Sequence, residues 1–180
     1  MAIVKLNKPA RAAAVAPAEL RDVASLEELQ AVMAREKISS SPCDVSGIAG
    51  ALGIKVVYEA MDDEVSGFLE QRAGGWVAGI NSYHHPVRQR FTLAHEIAHF
   101  VLHRGDQSSF SDRSFARRRD DRQPMERDAD SFAAALLMPT GDVRAAVDKG
   151  LRNLNDLARH FDVSTLAMRF RLEKLGYRMG

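Results

Sequence analysis

The sequence predicts an α+β fold in which a small antiparallel sheet packs on two central helices, with a helical pair following at the C-terminal end. Three observations carry this. Between Ile54 and Ile80, three short runs rich in β-branched and aromatic residues are separated by turn-forming residues. From Arg90 onward, Phe91, Ala94, Ile97, Ala98 and Val101 recur at helical spacing with neither Gly nor Pro between them. Beyond residue 150, apolar residues fall twice into a short helical pattern.

The stretch from Met1 to Pro17 carries Lys5, Lys8 and Arg11 before an Ala-rich segment, but lacks the apolar core of an export signal. Residues 1–20 therefore read as a flexible tail. Ser25 to Arg35 reads as an amphipathic helix with Leu26, Leu29, Val32 and Met33 on one face, opened by Ser25-Leu26-Glu27-Glu28 as a capping box. A second short helix is expected from Asp44 to Leu52. Three strands follow: Ile54–Glu59, then Ser66–Leu69, then Trp76–Ile80, with Asp62, Asp63, Gly74 and Gly75 in the turns. Trp76 suits a sheet-packing role.

The helical run beginning at Arg90 contains His95-Glu96-Ile97-Ala98-His99. Residues four apart are neighbours on a helix surface, so two imidazoles can converge on one tetrahedral metal at about 2.0–2.1 Å. Glu96 points roughly 100° round the helix, beside the metal, where a carboxylate can take a proton from water. That is the arrangement of a zinc hydrolase. A third ligand is available in a second helix, Glu126 to Met138, which is rich in Ala and Leu and ends at Pro139. Glu126 and Asp130 share a face, while Asp128 lies about 200° away from Glu126. Glu126 is thus the candidate ligand, and Asp130 can hydrogen-bond the outer nitrogen of a ligating His. Phe132, Ala133, Leu136 and Leu137 form the expected buried stripe.

His103 continues the four-residue rhythm. Residues eight apart on a straight helix are about 12 Å apart along the axis, so His95, His99 and His103 cannot all reach one ion. A metzincin's third His would fall at position 105, which is Gly. His103 is therefore expected to be a helix C-terminal residue favoured by the dipole. Gly105 to Pro124 reads as a polar loop containing Arg113, Arg117, Arg118, Arg119 and Arg122, either a solvated, mobile loop or a substrate-facing lid or edge strand in which Ser114-Phe115-Ala116 pairs with an extended peptide.

Arg88-Gln89-Arg90-Phe91-Thr92-Leu93-Ala94 leading into the histidine motif, followed by Glu126-x-x-Ala129-Asp130-x-Phe132-Ala133-Ala134-x-Leu136-Leu137-Met138-Pro139, resembles the ImmA/IrrE family of metallo-endopeptidases. The likeness runs from about Asp44 to Tyr177. It implies a zincin-like core with zinc held by His95, His99 and Glu126, and Glu96 as the base. It also implies an intracellular role against transcriptional repressors, in mobile-element immunity, DNA-damage responses or toxin–antitoxin loci.

Composition fits one core with appendages. Of 180 residues, 46% are hydrophobic and 27% charged, and the single cysteine, Cys43, has no internal partner for a disulfide. No 18-residue apolar run is present to span a membrane, and a net charge of +1 argues neither for nor against a polyanionic partner. Residues 21–150 are read as a zinc metallopeptidase domain. Tyr83, His84 and His85 precede the zinc helix, and Arg88 and Arg90 open it; all five suit structural roles better than oxyanion stabilisation.

Residues 151–180 are read as a helical extension packed on the core. Leu154, Leu157, Ala158 and Phe161 share one face, Asp162 and Val163 turn, and Ser164 caps a helix with Leu166, Ala167, Phe170 and Leu175 apolar. The pair resembles a helix-turn-helix that would present Arg169, Arg171 and Lys174 to DNA. Packing against the core or a protein partner is the favoured expectation, because one such unit on a nearly neutral chain is weak for nucleic acid. The expected function is a cytoplasmic zinc endopeptidase that cleaves a regulatory protein, such as a helix-turn-helix repressor or an antitoxin. The alternatives are a metal-stabilised antirepressor or toxin–antitoxin component that binds without cutting, and a DNA-binding regulator.

Overall fold

The computed structural model describes residues 23–113 and 124–177. The described residues begin at Val23, so the tail expected over residues 1–20 lies outside them, as does the Ser114-Phe115-Ala116 segment with Arg117, Arg118, Arg119 and Arg122.

Helix α1 (Leu26–Glu36) starts at Ser25, whose hydroxyl accepts from Glu28 N–H, while Glu28 accepts in return from Ala24 N–H at 2.6 Å. Helix α2 (Val45–Ala51) is capped by Asp44. Strands β1 (Lys55–Glu59), β2 (Val65–Arg72) and β3 (Gly75–Asn81) follow, then the long helix α3 (Pro86–His103), strand β4 (Ser109–Arg113) and helix α4 (Pro124–Leu137). Helices α5 (Thr140–Asp148), α6 (Leu154–Phe161) and α7 (Thr165–Lys174) complete the order.

The sheet runs β1-β3-β2-β4. Two of its pairings are antiparallel, as expected; the third, β1 with β3, is parallel. The reason is topological. The segment after β1 reverses the chain into β2, and the tight β2–β3 hairpin reverses it again, so β3 enters beside β1 in the same direction. Asn81 locks that segment: its side-chain amide donates to the carbonyls of Met61, Asp62 and Val65. Gly75 opens β3 at φ +119°, a conformation that glycine adopts without a side-chain clash.

β4 departs from the sequence expectation, which placed residues 105–124 in a loop. Its composition is polar, with Phe110 buried and Ser109 and Ser111 exposed, and a strand forms because β2 offers a free ladder from Val65 to Glu70. β2 bulges between Val65 and Gly67 in that pairing, and Ser66 is buried there, accepting from Arg88. Helix α5 was likewise not anticipated; Val143 and Ala146 anchor it.

Helix α3 packs on β2 and β3 with one side and on α4 with another, so every residue from Thr92 to Val101 is buried. The buried stripe of α4 is Ala129, Phe132, Ala133, Leu136 and Leu137. A single apolar cluster runs from Val23 through these helices to Leu157, Phe161, Met168 and Leu172. Arg90 adds a polar tie, its guanidinium 2.9 Å from the Asp162 carboxylate between α6 and α7.

The inner face of α7 differs from the apolar positions read in the sequence. Met168, Leu172 and Arg171 are buried, whereas Leu166 and Phe170 are exposed. Arg171 donates from Nε to the Met138 carbonyl and from Nη2 to Thr140 Oγ1, satisfying the α4–α5 junction. Lys174 donates to Ser131 on α4, and Arg169 pairs with Glu173. The three cations that a DNA-reading helix would present are thus engaged within the protein, Arg171 in its interior.

Candidate metal centre

The site is set by where α3 and α4 face each other. On α3, helical pitch stacks His95 and His99, and the packing of sheet and helix around them leaves the two residues 2% and 1% exposed. Their Nε2 atoms stand 3.0 Å apart. From α4, Glu126 reaches across: Oε2 lies 3.3 Å from His95 Nε2 and Oε1 lies 3.3 Å from His99 Nε2. Among the described residues, these three form a group whose donor atoms all lie within 4.8 Å of one another. Three donors placed at tetrahedral angles, each about 2.0–2.1 Å from one ion, would be about 3.3–3.4 Å apart. The observed separations fit that face closely, and two imidazoles with a carboxylate form a donor set suited to a divalent transition metal.

Each imidazole is held from behind. His95 Nδ1 is 3.0 Å from Asp130 Oδ1, one turn along α4 from Glu126. His99 Nδ1 is 3.1 Å from His103 Nδ1, and the His99 ring stacks on Phe110 of β4 with centroids 4.6 Å apart and planes 18° off parallel. His103 closes the last turn of α3, as the sequence expected, and it is also buried there. Its ring is 8% exposed and faces inward, because α3 ends against β4 rather than in solvent.

Electrostatics agree with this placement. Burial alone would raise the Glu126 carboxyl, but hydrogen bonds to His95 and His99, with the charge of those rings, hold it well below the usual carboxylate range. Burial, reinforced by neighbouring His99, lowers His103 against the opposite pull of Asp128, Asp106 and Glu126.

Glu96 is fully buried on the side of α3 that meets β2. Gly67 makes that approach possible. A Cβ there would fall 2.6 Å from the Gly79 carbonyl, 2.6 Å from Thr92 Cγ2 and 3.3 Å from Glu96 Oε1. The absent side chain lets β2 lie directly over Thr92 and Glu96.

The N-terminal part of α3 serves its own start. His85 caps the helix by accepting from Val87 N–H, and Tyr83 is 74% exposed. Ten residues separate His85 from His95, about 15 Å along the axis, so the cap of α3 stands a long way from the candidate ligands.

A peptidase family described as the IrrE N-terminal-like domain matches residues 49–173, a span that takes in both candidate ligand helices. The chain belongs to that family. It is also 41% identical over 97 residues to the radiation response metalloprotease IrrE of Deinococcus deserti, a match covering 52% of this chain and 34% of that protein. The chain thus spans about a third of the length of that curated relative. Membership of this IrrE-like family points to a metallopeptidase, and so to a metal. No described helix is long and apolar enough to cross a membrane.

Proposed function

We propose that this IrrE-like chain is a zinc-dependent endopeptidase of the cytoplasm that cleaves a regulatory protein, a helix-turn-helix repressor or an antitoxin. The observation that carries the reading is the convergence of His95, His99 and Glu126 from two helices, next to a buried Glu96 on the same helix as the two histidines. When bound there, the metal supplies Lewis acidity to the scissile carbonyl and acidifies water. Glu96 takes the proton of the attacking water and returns it to the leaving amine. Asp130 orients His95. β4, outermost in the sheet among the described residues and next to His99 through Phe110, offers an edge on which an extended polypeptide can add as a further strand. A repressor or antitoxin as target follows from the family likeness. A cytoplasmic setting accords with that target and with a lone, buried cysteine.

The test uses tagged wild type and Glu96→Gln in the native host, with intact-mass analysis of what co-purifies and metal content measured on both. Glu96→Gln should hold zinc at one ion per chain and retain a whole partner that wild type converts into defined fragments. The same partner bound uncut by both forms would overturn the peptidase reading in favour of a metal-stabilised antirepressor.

A further inference from the structure

We propose that His103 is the positioning residue for His99, accepting a hydrogen bond that fixes the tautomer and ring orientation in which His99 presents Nε2 to the metal. This rests on the reading of His95, His99 and Glu126 as ligands. His99 Nε2 is the nitrogen that faces the cluster, 3.0 Å from His95 Nε2 and 3.3 Å from Glu126 Oε1, so it must be bare to ligate. The proton of a neutral His99 then resides on Nδ1.

That Nδ1 lies 3.1 Å from His103 Nδ1, on the side of the ring turned away from the cluster, where no ion would bridge the two nitrogens as it would His95 Nε2 and His99 Nε2, so a hydrogen must lie between them. His103 Nδ1 is therefore the acceptor, with its own proton on Nε2. Two features keep the pair in register. Arg104, which follows α3, donates to the carbonyls of Phe100 and Val101 and secures the last helical turn. Phe110 lies flat against His99 and restricts rotation of the ring, while His103 selects its tautomer. The two ligating imidazoles are thus backed differently, His95 by a carboxylate and His99 by a neutral ring. His103 is not a fourth ligand, because it meets His99 at the nitrogen turned away from the cluster.

The test is made on the full chain loaded with zinc. Long-range ¹⁵N–¹H imidazole spectra of wild type should show His99 protonated at Nδ1 and His103 protonated at Nε2 only; a proton on His103 Nδ1 would overturn the proposal without need of any variant. Chelator competition should show zinc affinity falling about 10–100-fold in His103→Leu. His103→Asn, whose Oδ1 can occupy the place of Nδ1, should recover most of that loss, and the cobalt(II) absorption spectrum of His103→Leu should differ from wild type while that of His103→Asn does not. Equal loss in both variants, or undiminished affinity in His103→Leu, assigns His103 to packing alone. Failure of wild type to bind zinc would instead overturn the ligand assignment, and the role of His103 with it.

Discussion

His95 Nδ1 and Asp130 Oδ1 stand 3.0 Å apart and join α3 to α4 directly behind the candidate metal ligands. The carboxylate fixes which His95 nitrogen carries the proton and makes the opposite nitrogen a better donor to a metal. Asp130→Asn keeps the shape and an acceptor oxygen but removes the charge. Its zinc affinity should fall about tenfold, and that of Asp130→Ala about a hundredfold. Chelator competition measures both; wild-type affinity in Asp130→Ala would show that His95 needs no such support.

Gly67→Ala tests whether the close approach of β2 to α3 serves Glu96. The added methyl meets backbone at the Gly79 carbonyl and a packed methyl of Thr92, each at 2.6 Å, so strand and helix must separate. Overpacking of this kind costs about 1–3 kcal/mol, readable in urea unfolding. Peptidase activity should fall further than the loss of folded protein explains, since Glu96 shifts with the helix. An unchanged urea midpoint would mean that the strand yields freely.

Arg171→Met retains bulk and apolar stem but abandons the Met138 carbonyl and Thr140 hydroxyl. A buried carbonyl left without its charged donor should cost about 1–3 kcal/mol, seen as a lower thermal midpoint. Duplex binding, measured by fluorescence anisotropy across a salt series, should be equally absent from wild type and variant. Salt-sensitive binding by wild type that the variant loses would restore the DNA-reading role for α7.

Cys43 should be chemically silent in the native state. Burial, against the pull of Arg90 and with a smaller push from Asp44, raises its thiol from 9.0 to about 11. Folding therefore holds the proton on sulfur. That contribution to stability is intact below pH 9 and is lost as pH climbs through 11. Native protein at pH 8 should resist iodoacetamide, and denatured protein should take up one equivalent. Rapid native alkylation would show that the thiol is neither buried nor protonated.

Much of this molecule is legible from local sequence, because helical pitch and capping act over a few residues. Ser25 and Ser164 cap helices where the sequence placed them, and the four-residue spacings of His95 with His99 and of Glu126 with Asp130 place each pair on one helical face. The buried stripe of α4 follows from the same periodicity. What local pattern could not supply depended on partners distant in sequence. β4 is a strand because β2 has a ladder to complete, not because Ser109–Arg113 has a strand's composition. The parallel pairing of β1 arises from two chain reversals rather than from any property of its residues. The rotation of α7 was decided by the Met138 carbonyl and Thr140 hydroxyl, whose need for a donor drew Arg171 inward and left Leu166 outside. His103 shows the division at one residue: pitch puts it on the face of His99, but only the closing of β4 and Phe110 over the end of α3 buries its ring against that histidine. Helical position is a local property of the chain; burial and the choice of hydrogen-bond partner belong to the assembled fold.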